Sequence, residues 1–529
     1  MQQQLQLRIT PSEAASQTAI TRHISGELSV PTAAINGFHI LKQSIDARGK
    51  QAWINLTLQV FINEPITERE HAPFHWKDVT HVNRSVIITG AGPAGLFAAL
   101  RLIELGIKPV VIERGKDVRS RRRDLAKLNK EGVLNPESNY CFGEGGAGTY
   151  SDGKLYTRSN KRGNINRILQ LFYHFGAEEK ILYQSHPHIG TNKLPHIITA
   201  MREQILACGG EIHFETKLTN LQIENSELKA VQVNHEHLIK ADAMILATGH
   251  SARDIFELLH KRNVLIEAKP FALGVRVEHP QQLIDSIQYH CAVRNEFLPP
   301  ASYSLVEQVQ GKGVFSFCMC PGGIIAPAST SPGELVVNGW SPSKRNNPFA
   351  NSGMVVSVEE KDALQFFKRK NKTGLENNPL LMMYFQQAVE QQAYQSGGGS
   401  FKAPAQRMVD LFERKISSTL PDCSYNPGLT SVELNEVLPD FIYDKLRLGF
   451  HAFGKKMRGY FSNEAVVVAT ESRTSSPVRI PREPETCEHP QIKGLFPCGE
   501  GAGYAGGIVS AAMDGEKVAE AIHSKINRL

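Results

Sequence analysis

The segment Val86-Ile-Ile-Thr-Gly90-Ala-Gly92-Pro93-Ala94-Gly95-Leu constrains this chain more than any other. A short β-branched run leads straight into Gly-x-Gly-x-x-Gly. An apolar stripe at helical spacing follows through Leu96, Ala99, Leu100, Leu102 and Ile103. That order reads as a buried parallel strand, a tight turn and a helix. Gly90 permits the turn, Gly92 lets backbone approach a pyrophosphate, and Gly95 lets the helix pack close to the sheet. The helix start offers free N–H groups and a partial positive charge to phosphates. Gly106 ends the helix, and Pro109-Val-Val-Ile112 makes a second strand. Glu113 closes that strand about twenty residues beyond the glycines, where an acid can hold ribose hydroxyls. Arg114 beside it weakens any discrimination against a 2′-phosphate and joins the candidate binding set.

Two later segments extend the same site. Phe142-Gly-Glu-Gly145-Gly146-Ala-Gly-Thr-Tyr-Ser151-Asp-Gly153-Lys154 packs five glycines into a short loop. So many small residues indicate backbone passing close to something flat or charged. Cys141, Ser151, Asp152 and Lys154 supply polar groups there. Ala243-Met-Ile-Leu-Ala-Thr-Gly249 is an apolar strand ending in a turn. At the far end of the chain Leu495-Phe-Pro-Cys498 makes a short strand, followed by Gly499-Glu500 and then Gly506-Gly507-Ile508 at a helix start. A chain that returns at its end to build a second wall of a dinucleotide site points to FAD. The last helix start would face the flavin N1/C2 carbonyl region and favour negative charge there.

At 529 residues, two or three domains are expected, and 41% hydrophobic residues can build real cores. No stretch approaches a membrane span. Met1-Gln-Gln-Gln-Leu-Gln lacks a basic and an apolar segment, so no secretory signal is expected. The eight cysteines form no disulfide framework, which fits a reducing, cytoplasmic setting. Lys and Arg number 59 against 53 Asp and Glu, a surplus too small to imply nucleic acid. The densest basic run, Arg119-Ser-Arg-Arg-Arg123, reads as a solvated helix face.

The expected organisation is α/β. Residues 1–80 form a small α+β module: a strand at Leu5–Ile9, a helix from Ser12, and a hairpin around Ala47-Arg-Gly-Lys50. Residues 82–270 form the first part of a Rossmann-type dinucleotide domain. Residues 271–434 form an inserted substrate or cap domain, with strands near 314–319 and 335–340 and helices over 358–420 interrupted by a polar, glycine-rich loop at Gln395-Ser-Gly-Gly-Gly-Ser400. Residues 435–529 return to the dinucleotide domain. There is no second strand–Gly-x-Gly-x-x-Gly–helix unit, so NAD(P)H, if used, docks transiently as a reductant.

Cys318 and Cys320 in Phe317-Cys-Met-Cys-Pro-Gly-Gly share one face if the strand continues. A disulfide between them would be strained and labile, which suits redox chemistry. The plainer reading, small residues closing a strand before a Pro-Gly turn, is preferred. In Glu471-Ser-Arg473-Thr-Ser-Ser-Pro-Val-Arg479, Arg473 or Arg479 can hold an anionic substrate or stabilise flavin; a structural crossover is the alternative. His186 and His188 have no third ligand placed by spacing, so no metal site is expected. No Ser-His-Asp set is readable, so no hydrolase is inferred.

Taken together, Glu137 through Leu155, Pro187 through Thr191, Phe317 through Gly323, Glu471 through Ile480 and Gly499 through Ile508 resemble the bacterial FAD-dependent dehydrogenase family, which has plastid relatives. The resemblance implies a glutathione-reductase-like FAD domain interrupted by an inserted α+β domain, behind a small N-terminal α+β module. It implies FAD binding at the glycines, Glu113 and the closing loop, and brings no substrate with it. One departure is Tyr150, where the family pattern has Phe.

The function expected is that of an FAD-dependent oxidoreductase passing hydride between an unidentified small molecule and flavin. The alternatives are a flavin-dependent RNA-modifying enzyme, which the lack of a basic aromatic patch in residues 1–80 opposes, and a non-catalytic flavin-binding sensor.

Overall fold

The computed structural model describes residues 1–69, 71, 73–157, 163–240 and 242–527. Five short segments form a wholly parallel sheet in the order Leu495–Pro497, Ala243–Leu246, Ser85–Thr89, Lys108–Ile112, Glu211–His213. Val86, Ile87 and Ile88 are buried, as expected for a strand covered on both faces. The helix Pro93–Leu105 packs against the last helix, Ile508–Ile526. Their backbones approach so closely that a Cβ on Gly515 would stand 2.1 Å from the Ala94 carbonyl oxygen. The end of the chain is thereby locked onto its first nucleotide-binding turn. A three-stranded antiparallel sheet, Leu218–Glu224, Glu227–Val233 and His237–Ile239, lies between the strands Glu211–His213 and Ala243–Leu246 in sequence.

The second layer is a seven-stranded sheet. Its order is Val306–Val309, Lys312–Cys320, Phe349–Val358, Phe271–Pro280, Val466–Glu471, Ala403–Arg407, Leu429–Ser431. Phe271–Pro280 pairs antiparallel with Phe349–Val358 along its whole length, and both strands are almost wholly buried. The helices Glu360–Arg369, Leu381–Ser396 and Asp440–Lys456 bury Phe367, Phe385 and Phe450 in the same core.

This layer moves one expected boundary. Asp440–Lys456 and Val466–Glu471 belong to the second layer, and the chain rejoins the parallel sheet only at Leu495. The return placed at 435 therefore falls inside the insert. A run such as Val466-Val-Val-Ala reads the same in either sheet, and only pairing with Phe271–Pro280 assigns it. The helical stretch expected over 358–420 is likewise broken by the strand Ala403–Arg407.

In the N-terminal module Trp53–Ile62 is the central strand, flanked by Gln2–Ile9 and Ile35–Asp46. The helix expected from Ser12 is divided. Thr10 and Glu13 form a reciprocal cap on Pro11–Ala14, and Ser16 caps a second helix, Gln17–Leu28, through the Ala19 N–H at 3.3 Å.

Candidate functional site

A cleft of roughly 1650 Å³, open mouth included, runs along the carboxyl ends of the parallel strands and under the edge of the second sheet. It lies where open α/β sheets place their ligands. Of the residues singled out from sequence, Gly90, Gly92, Pro93, Ala94, Glu113, Arg114, Gly146, Ser151, Gly153, Lys154, Gly249, Gly499, Glu500, Gly506, Gly507 and Ile508 line it, together with Cys318 and Cys320.

The first turn is built as its glycines require. Gly90 has φ +106°, and a Cβ there would stand 2.5 Å from the Ala247 carbonyl oxygen. Gly95 is not on the cleft wall; a Cβ there would meet the Gly90 carbonyl oxygen at 1.9 Å. Gly145, also off the wall, has φ +78° and sits against Thr149.

Glu113 is 5% exposed and accepts three backbone N–H groups, from Ala91, Gly115 and Gly143, each at 2.9 Å. It clamps the first turn to the second glycine loop, leaving one side of its Oε2 for a ribose hydroxyl. Arg114 stacks on Phe142 with 4.2 Å to the ring centroid. Its guanidinium is held by Glu137 at 2.6 Å and Asp254 at 2.8 Å, so it is not poised over a phosphate.

The second loop rests on a residue that its sequence context hides. Arg121, expected on a solvated face, is fully buried. Its guanidinium donates to the carbonyls of Asn139 at 2.8 Å, Tyr140 at 2.9 Å and Glu144 at 2.7 Å. The glycine-rich turn leaves these carbonyls without strand or helix partners, and one planar fork satisfies them together. Arg119, Arg122 and Arg123 are exposed, as the charge run implies. The hydroxyl of Tyr150 donates to the Val118 carbonyl at 2.9 Å, which gives that departure from the family pattern a local role.

The closing wall is held by Asp514. It accepts the Gly499 N–H at 2.8 Å and pairs with Arg482 at 2.5 Å. Gly507 begins the last helix with no side-chain cap, as does Gly92 at the first. Both helix starts thus keep N–H groups for a ligand. The Glu500 carboxylate has no hydrogen-bond partner among the described residues. Burial pushes its carboxyl up to about 7, with Lys269 pulling the other way.

On the opposite wall the insert contributes Cys318 and Cys320 from the seven-stranded sheet, and Asn338 and Gly339 from a two-stranded ribbon of Ile324–Pro327 and Val337–Trp340. Lys154 reaches across from the glycine loop and donates to the Met319 carbonyl, with Asp152 at 3.6 Å. Burial disfavours its charge, but Cys320, Asp152 and Cys318 outweigh that and hold its pKa above the ordinary lysine value. Asp152 also pairs with Arg345 of the insert at 2.6 Å.

Arg473 is not on the cleft. It is buried in an ion cluster with Glu390 at 3.0 Å, Glu334 at 3.5 Å and, through Glu390, Arg253. A side chain so fully paired has no donor poised for substrate, and its role is to join elements of the insert. Arg479 lies outside the cleft as well, 5.2 Å from the Tyr504 ring centroid. His188 Nε2 lies 3.1 Å from the Ser343 carbonyl oxygen. Sequence reasoning missed His250 and Ser251, which line the cleft just past Ala-Thr-Gly249 with Ser251 Oγ 2.7 Å from His250 Nδ1. Burial, and then Arg473, lower the His250 pKa to about 4, so the ring is neutral.

FAD fits these walls. Gly249 and Gly506 have no atom within 4 Å of where a Cβ would stand, so backbone there is open to a ligand. Two uncapped helix starts suit a pyrophosphate and an electron-rich ring edge. The unpartnered Glu500 carboxylate suits ribityl hydroxyls. The fold and cleft define an FAD-dependent oxidoreductase-type protein.

Comparison with known proteins places it further. Residues 270–474 match the model described as "FAD-dependent protein, C-terminal domain-like", residues 84–261 match "Pyridine nucleotide-disulphide oxidoreductase", and residues 1–61 match a domain of unknown function. A protein of Clostridium beijerinckii described only as uncharacterized is 39% identical over 96% of each chain. The chain belongs to the family of FAD-dependent proteins that carries this C-terminal domain. Similar solved structures include a geranylgeranyl bacteriochlorophyll reductase-like protein of Thermoplasma acidophilum, at 13% identity over 84% of this chain and 79% of that one, TM-score 0.35. The flavin-dependent brominase Bmp2 matches at 12% identity over the same shares, TM-score 0.36. Likeness of that size carries no function across.

Proposed function

We propose that this protein is an FAD-dependent oxidoreductase acting on a small molecule that enters between the Lys154 loop and the strand Lys312–Cys320. The observation that carries the reading is the convergence of three glycine-rich turns, at 90–95, 142–153 and 499–507, on one cleft whose far wall belongs to a separate sheet. Bound flavin would supply two-electron hydride chemistry. The chain's own residues do the rest. Glu113 and Arg121 hold the loops, Asp514 holds the closing turn, and the Gly507 helix start favours negative charge beside it. Lys154 offers a cation at the substrate side, which favours substrates carrying an anionic or strongly polar group.

The test is anaerobic spectroscopy of the purified protein before and after separate additions of NADH and NADPH. Rapid bleaching of a flavin spectrum by one donor establishes a reductase half-reaction. A bound flavin that neither donor bleaches points to a substrate-oxidising dehydrogenase or to a non-catalytic flavin-binding sensor. A protein that takes up no FAD overturns the proposal.

A further inference from the structure

The strand Lys312–Cys320 leaves regular pairing at its end. Phe317 stands opposite Gly353 and Cys320 opposite Asn351, so three steps on one strand face two on the other. The extra residue makes a bulge, and Cys318 has φ +44°, a left-handed conformation that glycine or asparagine adopts more readily. Holding another residue there strains the backbone.

Two cations hold it. Arg276, fully buried, donates to the Cys318 carbonyl at 3.1 Å while its other nitrogens bind Glu471 at 2.9 Å and Asn351 at 3.1 Å. Lys154 donates to the Met319 carbonyl from the opposite wall. The bulge brings both cysteines onto the cleft. Cys318 is exposed to it, and Cys320 is buried beneath. The Cys320 thiol turns back to donate to the Cys318 carbonyl at 3.3 Å, and Lys154 Nζ stands 3.9 Å from Cys320 Sγ. Two small fillers closing a strand would need neither the left-handed residue nor the cations. Two steps of extended chain span roughly 6.6 Å, near the top of the Cα separations that a disulfide bridges, roughly 4.4–6.8 Å. A bridge of that kind forms under strain and opens readily.

We propose that Cys318 and Cys320 are a reversible dithiol–disulfide couple that exchanges two electrons with the flavin held in the same cleft. In the oxidising direction both S–H bonds break, one Sγ–Sγ bond forms, and two electrons and two protons pass to oxidised flavin. In the reverse direction reduced flavin opens the bridge and both sulfurs regain protons. Lys154 places a cation against the pair, with its Nζ 3.9 Å from Cys320 Sγ. The inference rests on the reading of the cleft as an FAD site.

The experiment separates the two. Reduced apoprotein is equilibrated without oxygen in buffers of graded reduced-to-oxidised dithiothreitol, quenched in acid, alkylated and read by mass spectrometry at Cys318 and Cys320. A second sample receives FAD instead of oxidised dithiothreitol, and flavin absorbance is followed beside the thiol count. The expected result is that both labels disappear together in each series, and that one pair is lost per flavin bleached. In C318S or C320S the remaining thiol should stay labelled and the flavin should keep its colour. Protein that binds FAD while both cysteines remain labelled throughout overturns the couple alone. Protein that binds no FAD overturns the reading of the cleft and the electron exchange with it.

Discussion

The carboxylate of Glu113 accepts the Ala91 N–H at 2.9 Å, so the end of one parallel strand grips the turn that follows its neighbour. The same carboxylate takes the N–H groups of Gly115 and Gly143. An acid that the fingerprint assigns to ribose is here also the clamp between two nucleotide-binding loops.

Replacing that clamp should therefore cost more than one ligand contact. E113A orphans three backbone donors, and each buried N–H left unpaired costs about 1–3 kcal/mol. We expect a fall in melting temperature of the apoprotein together with FAD affinity reduced at least about tenfold, since 1.4 kcal/mol is tenfold. E113Q keeps one acceptor oxygen and should fall between. FAD titration by fluorescence quenching checks this. Wild-type affinity in E113A would mean that the loops hold their places without it.

Glu500 gives the site a pH dependence. Its carboxyl is pushed up to about 7, by burial before all else. If flavin hydroxyls donate to the ionised form, binding lowers that pKa. Affinity is then full above about 7 and declines as pH falls through it, by up to about tenfold between pH 8 and 6. E500Q removes the slope. An FAD dissociation constant unchanged over that range in the wild type would place Glu500 away from the hydroxyls.

How much of this was legible varies with the distance over which the information acts. The strand–turn–helix at 86–105 and the closing loop at 495–508 are spelled in local periodicity and glycine spacing, and the structure brings both to one cleft. Arg121 was not legible. Its neighbours are exposed arginines, and nothing nearby announces that carbonyls at 139–144 need a donor. Arg473 was misread for the same reason: its partners Glu334 and Glu390 lie far along the chain. The pairing of Cys318 with the cleft depends on a bulge that only the partner strand reveals.

The reactivity of Cys318 should follow its surroundings. The cleft walls keep water from its thiol and push it up to about 11, against the pull of Lys154. Below that value the thiolate fraction rises tenfold per pH unit, so alkylation by iodoacetamide should quicken about a hundredfold from pH 8 to pH 10. K154M removes the cation that opposes the rise and should slow labelling at a given pH. Bound FAD should slow it too, since Cys318 opens onto the same cleft. Peptide-level mass spectrometry reads each rate. A profile already flat at pH 8 would contradict the stated environment.

The buried cluster behind the cleft makes the insert sensitive to charge. Glu390 accepts from Arg253 at 2.9 Å, from Arg473 at 3.0 Å and from Ser472 at 2.6 Å, with no exposure to solvent. Burial works against its charge, yet the two guanidinium groups outweigh that and hold its carboxyl well below the usual carboxylate range. Its stabilising contribution is therefore complete above the unfolded value, near 4.5, and is lost as pH falls through the folded one. E390Q leaves Arg253 and Arg473 short of charge in a dry interior, which costs about 3–5 kcal/mol when one partner of a buried pair is removed. The variant should melt several degrees lower at neutral pH and lose less than the wild type on acidification. Because Arg473 does not touch the cleft, folded E390Q should still take up FAD in full stoichiometry. Thermal scans at pH 7 and pH 4, read beside flavin content, decide it: unchanged stability would remove the cluster from the forces that hold the insert together, and lost flavin in a well-folded variant would bring Arg473 back to the site.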